Sequence, residues 1–420
     1  MTVKINPQKM AGTVRAVESK SDAHRVLFCA ALSNTESTFQ IKNISKDILA
    51  TIGALKALGA DIEHTPEGSV SVKPLWGNVK ENTYIDCDES GSTLRFILPL
   101  AGATAGNFKI TAGGRLPYRP INPFIQSLNI NGMGFSREKL PLSVMGKLRS
   151  GRFLLPGHVS SQFVSGLLFT LPILEGDSEI FLTSELESAA YVGMTAKRLK
   201  DFGIRFEKED NIYKISGGQK YTVPENLAIE GDWSNAAFWL AAGALDGSVE
   251  VEGLQADSCQ SDKVILEVLK SMGANISFEG GVLKVFGGKL TATEFDASQA
   301  PDLFPVVATL MAVSQGTSLI KNAARLRLKE SDRLSAISQG LKNLGADIEE
   351  GGDYLKITGK DLLKGGEVDG YNDHRIVMAL AVLAAKCENG LVINGAQAVE
   401  KSYPNFFEDF KSLGGEAHVI

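Results

Sequence analysis

Only four cysteines occur in the 420 residues, at Cys29, Cys87, Cys259 and Cys387, with no C-x-x-C pair and no histidine at metal-ligand spacing. That excludes a zinc-type cluster and leaves them as reduced core residues of a cytosolic protein. Basic residues are in deficit: 43 Lys and Arg stand against 49 Asp and Glu, a net charge of −6. A general nucleic-acid or membrane-surface binder needs a basic face, so both classes are excluded and any anion site must be local. The start MTVKINPQKM has no apolar segment of the signal-peptide kind, and no later run reaches membrane-spanning length. The expectation is a soluble, unprocessed, cytoplasmic chain. There is also no G-x-x-x-x-G-K-[ST] loop and no nucleophile elbow.

What is present is repetition. A helical stretch ending in an apolar residue and glycine, then strand-like alternation, occurs around Gly59, Gly203, Gly273, Gly345 and Gly414, with a degenerate copy at Gly132 to Gly134. The spacing, near 70 residues, is too long for a solenoid and suits a compact unit of helices and strands. Each glycine stands where a helix end needs a left-handed residue. At 44% hydrophobic residues and this length the chain can bury more than one core. Six units make two lobes of three: residues 19–229, and residues 1–18 with 230–420. The strand Val3-Lys4-Ile5 could pair into either lobe. Chain crossings near Ser19 and Glu230 would bring Lys20 and Asp232 to a cleft between lobes, a common place for small molecules.

Polar clusters precede apolar helical runs all along the chain. Ser19-Lys20-Ser21-Asp22-Ala23-His24-Arg25 is the first, and its donors at a predicted helix start suit an anion. Gly91-Ser92-Thr93-Leu94-Arg95 lets backbone amides approach a ligand, and Arg115 and Arg119 lie in a loop held out of helix by Pro117 and Pro120. Ser160-Ser161-Gln162 and Ser188-Ala189-Ala190-Tyr191 open two further helices. In the second half, Asp302 reads equally well as a helix cap or as a functional carboxylate. Arg325 to Arg333 reads as a strand entering a helix, with Lys329, Glu330 and Arg333 at the junction. Asp373-His374-Arg375 and Lys401 precede later helices. Cations at Lys20, Lys329, Arg375 and Lys401 sit at helix starts, where the dipole disfavours them unless an anion intervenes. Such a site binds multiply anionic small molecules and acts by proton transfer and charge stabilisation, with Asp302 and Glu330 handling protons.

This ordered set closely resembles the 5-enolpyruvylshikimate-3-phosphate synthase family: Lys20-Ser21 with His24-Arg25, Gly91-Ser92 with Arg95, Arg119-Pro120, Ser160-Ser161-Gln162, Pro301-Asp302, Lys329 to Arg333, Asp373-His374-Arg375, and Lys401. It spans nearly the whole chain. The resemblance implies an α/β fold of two lobes, each of three βαβαββ repeats with internal helices and outer sheets. It implies transfer of the enolpyruvyl group of phosphoenolpyruvate to the 5-hydroxyl of shikimate 3-phosphate, releasing phosphate, in chorismate and aromatic amino-acid biosynthesis. Lys20, Ser21, Arg25, Ser160, Ser161, Gln162, Ser188, Tyr191, Asp302 and Lys329 would contact shikimate 3-phosphate. Lys20, Gly91, Arg95, Arg119, Gln162, Arg333, Arg375 and Lys401 would cage phosphoenolpyruvate and, in this family, glyphosate. Asp302, Glu330 and Lys20 would be catalytic, with no metal and no cofactor. The expected protein is a monomer that closes on its substrates.

Three positions depart from the usual pattern: Glu89 where Asn is general, Phe96 after Arg95, and Asp22-Ala23 in place of a small or β-branched pair. The nearest rival, the UDP-N-acetylglucosamine enolpyruvyl transferases, carries a reactive cysteine in a first-lobe loop, and none lies between Gly113 and Pro120 here. A non-catalytic two-lobed anion binder would use the same helix starts without needing both Asp302 and Glu330.

Overall fold

The computed structural model describes all 420 residues. The chain forms two compact units: Lys20–Ile229, and Met1–Ser19 together with Glu230–Ile420. Ser19, which the sequence groups with the first lobe, belongs with the second unit, where its N–H donates to the Glu230 carbonyl at 2.8 Å.

One repeat shows how all are built. In the unit Lys20–Ile229, the strand Thr83–Asp86 runs into the buried helix Gly91–Thr104 and returns as the strand Phe108–Thr111, parallel to the first. The helix Asn122–Ile130 then leads through Gly132 into the strands Gly134–Phe135 and Leu142–Met145, and the latter pairs antiparallel with Phe108–Thr111. The next repeat follows the same order, with Arg152–Leu155 parallel to Ser178–Leu182 and the pair Glu207–Glu209 and Ile212–Ile215 beside it. The first repeat of this unit lacks its leading strand and has three: Ser37–Gln40, Asp61–His64 and Ser69–Lys73.

The other unit holds three four-stranded sheets of this pattern. Its first repeat is interrupted: the strand Ala11–Arg15 pairs parallel with Ser248–Glu252, and the whole Lys20–Ile229 unit lies between them in the chain. The N-terminal strand Thr2–Asn6 settles between Leu391–Asn394 and Glu416–Val419, supplying the fourth strand of the last repeat. So Val3 to Ile5 pair into this unit, the two options left by sequence being resolved by a partner almost 400 residues away.

Turn chemistry explains the recurring glycine. Gly59, Gly132, Gly203, Gly273, Gly345 and Gly414 all have positive φ, from 81° to 122°. A residue with a Cβ is strained there, and at Gly59 a side chain would also collide with the Asn78 carbonyl.

In each repeat the first helix is the more deeply buried of the two. Every residue of Trp233–Ala244, Phe304–Ala312 and His374–Leu383 is buried, as expected of helices that are almost wholly apolar beyond their first turns. In the other unit, Lys20–Leu32, Gly91–Thr104 and Ser161–Thr170 each contribute a phenylalanine, and Phe28, Phe96 and Phe169 meet with ring centroids 5.2 to 5.7 Å apart. Each such pair adds about 1 kcal/mol beyond the area it buries. No helix is long and apolar enough to cross a membrane.

Candidate active site

In the unit Lys20–Ile229, three helix starts carry the sequence-predicted groups. Lys20 is the first residue of its helix, and its Nζ pairs with Asp47 Oδ2 at 2.7 Å. Asp47 lies in the first turn of the helix Lys46–Leu58, where the dipole favours a carboxylate. One turn further along both helices, His24 Nδ1 meets Thr51 Oγ1 at 2.7 Å, and Thr51 meets Thr93 at 2.6 Å. Thr93 in turn donates to Ser90, the cap of the helix Gly91–Thr104. The imidazole and the three hydroxyls form one buried chain from His24 to that cap. Burial, then the charges of Lys20 and Arg25, hold the His24 pKa well below its ordinary value, so the ring is neutral.

Arg25 is oriented by the helix Ala189–Asp201. Its Nε donates to Thr195 Oγ1 at 2.9 Å, its Nη2 to the Tyr191 carbonyl at 2.7 Å, and its Nη1 to the Ser21 carbonyl at 2.5 Å. Ser188 precedes that helix in a left-handed conformation (φ 54°), which turns the chain before Tyr191. Ser160 caps the helix Ser161–Thr170 by accepting from the Gln162 N–H, and Gln162 Nε2 donates to Ser92 at 2.9 Å, joining two helix starts. Gly91 is close-packed by cations: a Cβ there would lie 2.6 Å from Arg95 Nη1 and 3.0 Å from Arg119 Nη1. Lys20, Ser21 and Arg25 thus share one helix start, Gly91, Arg95 and Arg119 cluster at a second, and Ser160 to Gln162 form a third.

The other unit concentrates charge around Arg333, whose side chain is 1% exposed. Its guanidinium bonds Asp302 at 2.7 Å, Glu330 at 2.8 Å and Asp373 at 2.8 Å. Arg375 Nη2 reaches Asp302 Oδ2 at 3.0 Å, its Nη1 donates to Ser234 Oγ at 2.6 Å, and Lys329 Nζ stands 3.8 Å from Asp302 Oδ1. Burial opposes charge on Asp302, but Arg375, Lys329 and Arg333 outweigh it and hold the carboxyl well below the usual range. Lys329 goes the other way. Burial, with Arg325 and Arg333 nearby, outweighs Asp302 and brings its pKa down to about 8. Lys401 Nζ donates to the Asn372 carbonyl at 2.6 Å, which ties it to the turn preceding Asp373.

Several sequence readings need correction. Asp302 does not cap a helix; it lies within the 3-10 turn Pro301–Leu303 and spends its carboxylate on arginines. Arg325 to Lys329 is not a strand: Ala324–Leu328 is a 3-10 turn, in which the Leu326 N–H bonds back to the Ala323 carbonyl at 3.0 Å. Lys329 and Lys401 are not at helix starts. Lys329 follows that turn, and Lys401 ends the 3-10 stretch Ala396–Lys401. Cys29, Cys87 and Cys387 are buried, and burial pushes their thiol pKa values up, but Cys259 is exposed. Sequence reasoning also missed Asp47, Thr195 and Ser234. Asp47 and Ser234 look like ordinary first-turn residues, and nothing local points to Lys20 or Arg375.

The departures have structural partners. Phe96 belongs to the phenylalanine cluster, Glu89 packs on Gly114, and Asp22 pairs with Arg198.

Two units of three sheets around buried helices make the fold that enolpyruvyl transferases adopt. EPSP synthase from Acinetobacter baumannii superposes with a TM-score of 0.83 at 24% identity over 100% of both chains. The enolpyruvyl transferase NikO from Streptomyces tendae gives 0.78 at 15% identity, over 99% and 98% of the chains. Within that fold the chain belongs to the EPSP synthase (3-phosphoshikimate 1-carboxyvinyltransferase) family, whose model matches residues 5–410. Curated relatives called 3-phosphoshikimate 1-carboxyvinyltransferase agree. Those from Clostridium acetobutylicum and Clostridium kluyveri are each 46% identical, covering 99% of this chain and 98% and 97% of the relative.

Proposed function

We propose that the chain transfers the enolpyruvyl group of phosphoenolpyruvate to the 5-hydroxyl of shikimate 3-phosphate and releases inorganic phosphate. The observation that carries this is Asp302: one carboxylate gripped by Arg333 and Arg375, with Lys329 at 3.8 Å and Glu330 on the same Arg333. The family match over nearly the whole length supports the choice of substrates.

In this reading the unit Lys20–Ile229 holds shikimate 3-phosphate through Ser21, Arg25, Ser160, Ser161, Gln162, Ser188 and Tyr191, with Lys20 serving both substrates. Arg95 and Arg119 beside Gly91, with Arg333, Arg375 and Lys401, take the carboxylate and phosphate of phosphoenolpyruvate. Guanidiniums suit both groups because they bind them two-pronged. Asp302 accepts the proton of the 5-hydroxyl as its oxygen attacks C2 of phosphoenolpyruvate, and Glu330, assisted by Lys20, protonates the methylene carbon. The C2–O bond to phosphate then breaks, phosphate leaves with the electron pair, and a methyl proton is lost to restore the double bond.

The low pKa of Asp302 makes it a weak base while three cations face it. Substrate anions that engage Arg333 and Arg375 weaken that field and raise its basicity. The carboxylate gains strength as a base only once the site is filled. The reading extends to a cytoplasmic monomer that needs no cofactor.

The test is phosphate release from phosphoenolpyruvate with shikimate 3-phosphate or UDP-N-acetylglucosamine as acceptor. Release only with the first supports the proposal, and release only with the second replaces it. No release with either, together with retained affinity for shikimate 3-phosphate, would leave a binding protein.

A further inference from the structure

Lys329 and Glu330 lie in a short irregular segment between the 3-10 turn Ala324–Leu328 and the helix Arg333–Asn343. Three consecutive side chains of this segment nevertheless converge on one charge cluster: Lys329 toward Asp302, Glu330 on Arg333 and Ser331 on Asp373. The backbone that carries them is held from its other side by Arg327.

The Arg327 guanidinium reaches five acceptor groups. Its Nε donates to the Gly352 carbonyl at 3.2 Å, and its Nη1 to the Asp332 carboxylate at 3.1 Å and to Ser335 Oγ at 3.0 Å. Its Nη2 donates to Glu350 Oε1 at 3.0 Å and to the Gly351 carbonyl at 2.8 Å. A guanidinium has five N–H groups, so this one is fully used. The partners interlock as well. Asp332 caps the helix through the Ser335 N–H at 3.1 Å, and Ser335 Oγ donates to Glu350 Oε1 at 2.7 Å. Glu350 ends the outer strand Asp347–Glu350, paired there with Leu355, so the clamp is anchored on a sheet. Arg327 itself touches neither Asp302 nor Arg333, and its side chain is 29% exposed.

We infer that Arg327 is a positioning residue for the proton-handling group: by tying Asp332 to the turn at Glu350–Gly352 it fixes where Lys329 and Glu330 point. The inference rests on the proposed enolpyruvyl transfer. A flexible segment would leave Glu330 misaligned with the carbon it protonates, and misplacement by about 1 Å costs about 100-fold in rate.

The experiment measures phosphate release from phosphoenolpyruvate and shikimate 3-phosphate by the parent protein, Arg327→Ala, Arg327→Lys, Glu350→Gln and the double variant Arg327→Ala/Glu350→Gln. Arg327→Ala is expected to lower kcat about 100-fold with both KM values within about threefold. Added guanidinium ion should restore part of the loss. Arg327→Lys should recover less than guanidinium does, because an ammonium offers three donors in place of a fixed fork of five. Glu350→Gln should be milder alone and add nothing to Arg327→Ala. Parent-like kcat in Arg327→Ala overturns the inference. So does a loss of kcat that tracks loss of folded protein by circular dichroism, with no response to guanidinium and full additivity. A parent protein that releases no phosphate fails the proposed function first and takes this inference with it.

Discussion

Asp22 and Arg198 form a two-pronged ion pair inside the unit Lys20–Ile229, Nε to Oδ1 at 2.6 Å and Nη2 to Oδ2 at 2.5 Å. Arg198 also donates to the Ala228 carbonyl at 2.7 Å, and both side chains are nearly sealed from solvent. The pair locks the first turn of the helix that carries Lys20 and Arg25 against the helix Ala189–Asp201.

Asp22→Ala leaves the Arg198 charge buried without its main partner. The expected loss is about 3–5 kcal/mol in urea unfolding. Replacing both partners, Asp22→Val with Arg198→Met, should recover most of it, because an apolar pair of similar volume carries no desolvation cost. A change under about 1 kcal/mol in Asp22→Ala would show that the pair holds nothing.

Asp302→Asn keeps the shape of the side chain and removes its basicity. Turnover should fall by about 10²–10⁴-fold, the usual range for a lost general base, while calorimetric affinity for shikimate 3-phosphate stays within about threefold. The Asp302 pKa is depressed in the folded protein, so its ion pairs stabilise above the ordinary carboxylate range. That stability is lost as pH falls through the depressed value. The variant should therefore show a weaker acid destabilisation than the parent.

Lys329 titrates within reach of assay conditions, near 8. It is charged below that value and neutral above it. If its ammonium holds the phosphorylated ring, kcat/KM for shikimate 3-phosphate should fall on the alkaline side with a midpoint near 8, by about tenfold per unit at the limit. In Lys329→Arg that limb should move out of range, because a guanidinium does not titrate there. An identical limb in the variant assigns it to another group. The stability effect has the opposite sign: burying the ammonium costs stability at low pH, and the cost is relieved as pH rises above the folded pKa.

Gly91→Ala places a methyl group 2.6 Å from Arg95 Nη1 and 3.0 Å from Arg119 Nη1. Both guanidiniums end flexible side chains, so they should shift and the fold should persist. KM for phosphoenolpyruvate should rise about tenfold, the equivalent of one weakened charge-assisted hydrogen bond, with KM for shikimate 3-phosphate little changed. Equal rises in both would indicate a wider disturbance.

Local physics made much of this chain legible in its residues. Six left-handed glycines, Gly59 to Gly414, announced the repeats, because a helix that turns sharply into a strand needs φ above zero wherever it occurs. Strongly apolar runs, such as Phe304 to Ala312 with Thr309 as its one hydroxyl, announced apolar helices, and the polar clusters before such runs announced most of the candidate site. These are properties of short windows, set by backbone sterics and by the cost of leaving apolar surface in water.

Pairings between distant residues were decided by the tertiary structure alone. Val3 to Ile5 joins the strands at Leu391 and Glu416, Asp47 becomes the counter-ion of Lys20, and Arg375 reaches Ser234. The role of Asp302 also had to wait. A carboxylate after Pro301 fits a helix cap locally, and only burial beside Arg333 and Arg375 makes that role give way. Charges choose partners by distance in space and by exclusion of water, and neither is written in the spacing of residues along the chain.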